Sequence, residues 1–159
     1  MGKYRIWKVA EAAFAMLAIV VSLDCQQAKA QGTDVAAAWI AVWNSHDPDA
    51  VVALFTADVF YEDVTFGLVN HGSDELRALA EGFFAAVPDV HFDLVSSSVN
   101  GGFGSIEWVG TGTDVGLYGT GKTYSVRGAT IIELDGDKIA RNSDYYDAAT
   151  ILRQLGLLP

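Results

Sequence analysis

From residue 33 onward the apolar positions recur three and four apart, at Val35, Ala38, Trp39, Val42 and Trp43. That is the spacing of one helix face, and Thr33 or Asp34 is placed to cap its start. The run NSHDP (44–48) breaks the pattern. Asp47-Pro48 then opens a second, short helix with Val51, Val52, Leu54 and Phe55 on its apolar side. DVFYEDV (58–64) reads as a strand, and FGLVNHG (66–72) as a loop or short extended piece. A third helix starts at Ser73 as its cap. Asp74 and Glu75 suit its N-terminus, Leu76, Leu79, Phe83 and Phe84 form its buried stripe, and Pro88 ends it.

The remainder is extended. VHFDLVSSSV (90–99) turns at Asn100-Gly101 into FGSIEWVGTGTDVG (103–116), and a glycine-rich loop leads to KTYSVRGATIIEL (122–134). Asp135-Gly136 makes a tight hairpin into KIARNSDYYD (138–147), and a last helical piece ends at Gly156. Helices with one strand between them, followed by a four-strand antiparallel meander, favour an α+β fold. With 159 residues, 51% of them hydrophobic, the chain suits one compact domain with a real core.

The first thirty residues are set apart. Lys3, Arg5 and Lys8 precede an apolar run, Ala12 to Leu23, that is short for a membrane span, and Ala28-Lys29-Ala30 has the form of a signal peptidase site. The expectation is a signal peptide over 1–30 and an exported, periplasmic or secreted domain over 31–159 with no stable membrane span; the alternative is an uncleaved N-terminal anchor. Cys25 would suit a lipoprotein, but Asp24 stands where lipid attachment wants a small neutral residue. Removal of residues 1–30 leaves six basic and eighteen acidic side chains, a net charge of −12. Such acidity, with no cluster of Lys and Arg, argues against a nucleic-acid partner. Cys25 is the only cysteine, so no disulfide holds the mature domain.

One residue asks for a partner. Arg127 sits in the middle of a strand that is otherwise apolar or small, and a buried guanidinium without an anion costs several kcal/mol. A two-residue turn at Asp135-Gly136 sets Leu134 opposite Asp137 and Glu133 opposite Lys138. It also sets Arg127 opposite Asp144, with Asn142 and Tyr146 on the same face. The pair is either part of a pocket, with Arg127 orienting Asp144, or a structural ion pair at a rim or dimer face. A β-bulge would shift the register by one and turn the pair apart.

Several blocks resemble the SnoaL-like branch of the nuclear transport factor 2-like superfamily, in that family's order and spacing. They are WNSHDPDAVVALFTADVFYED, NHGSDELRALAEGFFAAVPDVHFDL, EWVGTGTDVG, TGKTYSVRGATIIEL, DGDKIARNSDYYD and LRQLGLLP. The resemblance covers Val35 to the end. It implies a cone-like α+β barrel, a curved, mostly antiparallel sheet packed on N-terminal helices, with a pocket at the open end. Such proteins include polyketide cyclases, ketosteroid isomerases, limonene epoxide hydrolases, dehydratases and plain binding domains, and homodimers are common among them. Polyketide cyclases of the group use an aspartate as acid/base on the strand corresponding to 122–134, where this chain has no carboxylate before Glu133.

Tyr61 and Asp63 are two apart and point the same way from their strand, one donor and one acceptor of the kind acid–base chemistry needs. Members of the superfamily face the corresponding strand to the pocket; otherwise Tyr61 is a core aromatic and Asp63 starts a turn. Asp114 stands where such cyclases place a histidine, either as a base or as a loop carboxylate. Trp108 lines core or pocket wall, and His71 approaches the pocket mouth. His46, His71 and His91 have no partner at metal-ligand spacing, so no metal is expected, and no dinucleotide or phosphate fingerprint is present. The reading as a whole is an exported, cofactor-free protein with an apolar pocket for a small hydrophobic molecule, polycyclic or terpenoid-like. Its chemistry would be proton transfer: cyclisation, isomerisation, dehydration or epoxide opening. Asp144 or Asp63 would be the base, Arg127 the orienter, Tyr61 the donor, with Trp108, Asp114, His71, Asn142 and Tyr146 about the substrate. The alternative is a non-catalytic ligand-binding or dimeric interaction domain.

Overall fold

The computed structural model describes residues 35–159; the expected signal peptide and the capping Thr33 and Asp34 lie outside them. Helix α1 spans 35–44 and buries Val35, Trp39 and Trp43, the stripe its periodicity requires. Helix α2 (Pro48–Ala53) has proline at its start and Asp47 as its cap, the carboxylate accepting from the Asp49 amide. Strand β1 (Phe55–Asp63) and the short β2 (Leu68–His71) precede α3 (Gly72–Ala86). The cap of α3 is His71 rather than Ser73, and it offers no side-chain bond; instead the Glu75 carboxylate turns back to accept from the His71 amide at 2.6 Å. Strands β3 (His91–Asn100), β4 (Phe103–Thr113), β5 (Thr123–Asp135) and β6 (Lys138–Tyr146) follow, then α4 (Ala148–Leu155), ended by Gly156 at φ 76°. The chain is α+β.

The six strands form one curved, unclosed sheet in the order β2-β1-β6-β5-β4-β3. Every neighbouring pair is antiparallel except β1 and β6, which run parallel. The sheet is therefore mixed, and the second half of the chain returns to lie against its first strand. That pairing joins the Tyr61–Asp63 segment to the Asn142–Asp144 segment, which no local pattern could show. Alternation along β4 and β5 puts Ile106, Trp108, Val126 and Ile132 on the concave side, against α1 and the inner residues of α3. No helix of the described residues is long and apolar enough to cross a membrane.

The β5–β6 hairpin departs from the expected register in two ways. Its turn is Gly136-Asp137, with Asp135 opposite Lys138. An irregularity beyond Leu134↔Ile139 then inserts Ala140, so that Glu133 meets Arg141 and Thr130 meets Asp144. The displaced turn alone slides the pairing by two and keeps Arg127 and Asp144 on one face. The single extra residue changes the parity, and every side chain of β6 beyond it moves to the other side. Asp144 consequently faces inward and Arg127 outward.

Candidate functional site

The concave side of the sheet and the helices across it enclose a cavity of about 410 Å³, within the range of small-molecule pockets. Trp39 and Trp43 of α1 and Phe83 of α3 form one wall; Phe92, Trp108 and Val126 form the other. Phe66 and Leu68, around the β1–β2 turn, and Leu117 and Tyr118, in the β4–β5 loop, line it while remaining 42–50% exposed, which makes an apolar mouth.

Four polar side chains meet on adjoining parallel strands. Asp63 and Asp144 are register partners, Tyr61 lies two residues before Asp63, and Tyr146 two residues after Asp144. The tyrosines cross over: Tyr61 donates to Asp144 Oδ2 at 2.5 Å, and Tyr146 donates to Asp63 Oδ2 at 2.6 Å. Asp63 Oδ1 also accepts from the Phe66 amide at 3.0 Å, which ties the carboxylate to the turn at the mouth. Asp144 Oδ1 accepts from Thr130 Oγ1 at 2.6 Å and from Asn142 Nδ2 at 2.9 Å. Behind these, Trp108 Nε1 donates to Thr130 Oγ1 at 2.9 Å and Trp39 Nε1 to Asn142 Oδ1 at 3.0 Å.

Asp144 is 7% exposed. Its burial pushes the carboxyl up to about 6; donors from Thr130, Tyr61 and Asn142 pull the other way, and the neighbouring Asp63 charge adds to the rise. Burial and the Asp144 charge raise the Tyr61 phenol well above its ordinary value, and burial with Asp63 does the same for Tyr146. Both tyrosines are thus neutral donors throughout the physiological range. Asp144 is a carboxylate at neutral pH that takes a proton readily, the property a general base needs.

Tyr61, Asp63, Trp108, Asp144 and Tyr146 therefore gather on the cavity. Arg127 does not. It is 66% exposed on the outer face, its Nε 2.9 Å from Glu107 Oε1. The expected Arg127–Asp144 pair is absent, and no guanidinium meets Asp144 among the described residues. The expected Glu133–Lys138 pair is likewise replaced by Glu133–Arg141 at 3.0 Å. Asn142 lies behind Asp144, fully buried and off the cavity surface. His71 packs edge-on against Phe60 and is not a lining residue.

Asp114 is a loop carboxylate away from the cavity surface. It accepts from the amides of Tyr118, Gly119 and Thr120 and from the Thr120 hydroxyl, at 2.7–3.3 Å. Burial opposes its ionisation, yet these bonds hold its carboxyl down to about 2. Among the described residues no group of three or more His, Cys, Asp or Glu could hold a metal ion.

Four site residues were not singled out as such from the sequence. Trp39 and Trp43 read as core positions of a helix stripe, which they also are. Thr130 and Tyr124 become visible only with the correct register, which turns the even-numbered positions of β5 inward. The Tyr124 hydroxyl has no hydrogen-bond partner among the described residues, and burial with the charges of Asp114 and Asp89 pushes it up to about 12.

A model of the SnoaL-like polyketide cyclase family matches residues 33–155. The chain is 33% identical over 100 residues to the cyclase aurE of Calcarisporium arbuscula, a match covering 62% of this chain and 74% of that one. A hypothetical protein of ketosteroid isomerase-like fold from Catenulispora acidiphila, solved in complex with trimethylamine, superposes with a TM-score of 0.72. It is 29% identical, and the match covers 79% of this chain and 93% of that one. A phenazine biosynthesis-related protein from Pseudomonas aeruginosa gives 0.73 at 20% identity, over 86% and 91% of the two chains, a likeness of fold alone. The blocks read from the sequence, the half-open sheet with its cavity and these matches agree: the chain belongs to the SnoaL-like polyketide cyclase family.

Proposed function

We propose that the protein removes a proton from carbon beside a carbonyl group of a small, largely apolar ligand, and so drives its cyclisation or isomerisation. The observation that carries this reading is Asp144: a carboxyl near 6, set in the wall of an apolar cavity with a neutral tyrosine on its free side. The proton passes from the ligand carbon to Asp144, leaving an enolate. The enolate carbon can close a ring on a second carbonyl of the same molecule, the resulting alkoxide taking the proton back from Asp144. Alternatively, Asp144 can return the proton to a different carbon of the delocalised enolate for an isomerisation. Tyr61, whose hydrogen is released from Asp144 once that carboxylate takes the proton, is the donor beside the developing oxygen charge. Among the described residues the cavity lining contains no Lys, Arg or His. A carboxylate or phosphate ligand would meet two aspartates and no counter-charge among the described residues, which disfavours an anionic ligand. The Tyr124 hydroxyl, without a partner among the described residues, offers a donor to a second oxygen of the ligand.

An uncharged aromatic β-keto ester in D2O tests the reading, with loss of its α-proton signal followed by NMR. Wild-type protein is expected to accelerate exchange, and Asp144→Asn to lower that rate by about a hundredfold or more while keeping the fold. Equal exchange in the two proteins removes Asp144 as base. Binding of the ester without exchange in either favours the binding-domain alternative.

A further inference from the structure

Resting on the reading of Asp144 as the base, we infer that the proton it takes is carried on Oδ2, and that Trp39 and Trp108 are the positioning residues that decide this. An indole N–H only donates. Trp39 Nε1 points at Asn142 Oδ1 (3.0 Å), so the amide oxygen faces the indole and the amide nitrogen faces Asp144 Oδ1 (2.9 Å). An amide nitrogen has no lone pair for a carboxylic acid proton. Trp108 Nε1 points at Thr130 Oγ1 (2.9 Å), and among the described residues the only acceptor for the threonine's own hydrogen is Asp144 Oδ1 (2.6 Å).

Oδ1 is thus met by two hydrogens already, and a third placed on it has no good acceptor. Among the described residues Oδ2 meets only the Tyr61 hydroxyl, at 2.5 Å, and a hydroxyl can donate to a carboxylate or accept from an acid. The two indoles are stacked at 6.3 Å with an interplanar angle of 15°, and are 1% and 4% exposed. Neither donates to Asp144; each acts through the side chain it holds. The ligand proton therefore arrives at the oxygen beside Tyr61, which puts base and donor side by side on one flank of the ligand.

Without the Trp39 N–H, the Asn142 amide is free to turn over and present its oxygen to a protonated Asp144. That stabilises the acid form, so the titration midpoint of Asp144 rises. A third indole supplies the control: Trp43 lines the same cavity, and its buried N–H has no partner among the described residues.

The experiment is a carboxyl 13C NMR titration of the full chain labelled at aspartate, with the Asp144 signal assigned by its loss in Asp144→Asn. Trp39→Phe is expected to raise the Asp144 midpoint by about one unit or more. Trp43→Phe is expected to leave it within about 0.3 unit. In an Asn142→Val background, Trp39→Phe should add nothing, because there is no amide left to turn. Equal shifts for Trp39→Phe and Trp43→Phe, or a Trp39 shift that persists without the amide, overturn the inference, since loosened packing would then be the cause. If Trp39→Phe does not fold, Trp39→benzothienylalanine replaces N–H by sulfur at nearly the same ring volume, and the same outcomes apply. The midpoint is read without substrate. Lost α-proton exchange in Asp144→Asn with an unmoved midpoint in Trp39→Phe keeps the base and removes the positioning role; the reverse result keeps the positioning and removes the base.

Discussion

Asp144 keeps a charge in apolar surroundings because three donors converge on it and two of those are themselves fixed from behind. The arrangement has a cost that shows as pH dependence. Its carboxyl titrates near 6 when folded and near 3.9 in an unfolded chain. Between those values the folded state holds more protons than the unfolded one, so this residue's contribution to stability is full below about pH 4, falls as pH rises, and levels off above about 6. Two units correspond to about 3 kcal/mol. Asp89, Asp114 and Asp147 are shifted downward and act in the opposite sense at lower pH. The difference between wild type and Asp144→Asn, measured by urea unfolding from pH 4 to 7, should therefore isolate the effect. A flat difference across that range would contradict it. Arg127 is the counter-example at the same scale. Its pair with Glu107 lies in solvent, and Arg127→Ala is expected to change unfolding free energy by no more than about 1 kcal/mol and to leave α-proton exchange intact. The sequence could show that Arg127 needed an anion; it could not show which face of the sheet the strand would present to water.

Elements were legible where periodicity and turn chemistry agreed. The α1 stripe, the proline start of α2 and the glycine end of α4 follow from local rules, as does the existence of the two hairpins, whose turns each fall one residue later than expected. What escaped was non-local: the parallel β1–β6 pairing and the extra residue in β6. Neither has a signature in a single strand, because each is settled by what packs on the concave side. The β4–β5 loop shows the same limit. Its glycines carry no phosphate fingerprint, and their companion Asp114 spends its carboxylate on the loop's own amides. Asp114→Asn retains the shape but weakens those charge-assisted bonds. Amide hydrogen exchange at Tyr118, Gly119 and Thr120 is expected to quicken at least about tenfold, with unchanged protection in β5. Because Leu117 and Tyr118 ride on this loop, the variant should also widen the mouth and weaken binding of the β-keto ester. Gly128 belongs to the same scale: a Cβ there would lie 2.3 Å from the Trp108 ring. Glycine at this point is what allows the indole to lie flat over β5 and reach Thr130.

At the scale of the molecule, the family was readable from blocks of sequence and the reaction was not, since the fold hosts many chemistries. The acidic balance of the chain and the two aspartates in the cavity lining point the same way, against an anionic ligand. Export is proposed from residues 1–30, and N-terminal sequencing of protein recovered outside the cytoplasm is expected to begin at Gln31; recovery of chains beginning at Met1 in the membrane fraction would favour an anchor. The bulge at Ala140 has a consequence of its own. A sheet has only two sides, so along any strand a functional side chain is addressed by odd or even count, and Ala140 is the residue that sets this count for β6. A relative lacking it could keep every chemical group of the site and still carry its acid on the outside. Comparisons of such proteins should therefore align the parity of this hairpin before they align its aspartates.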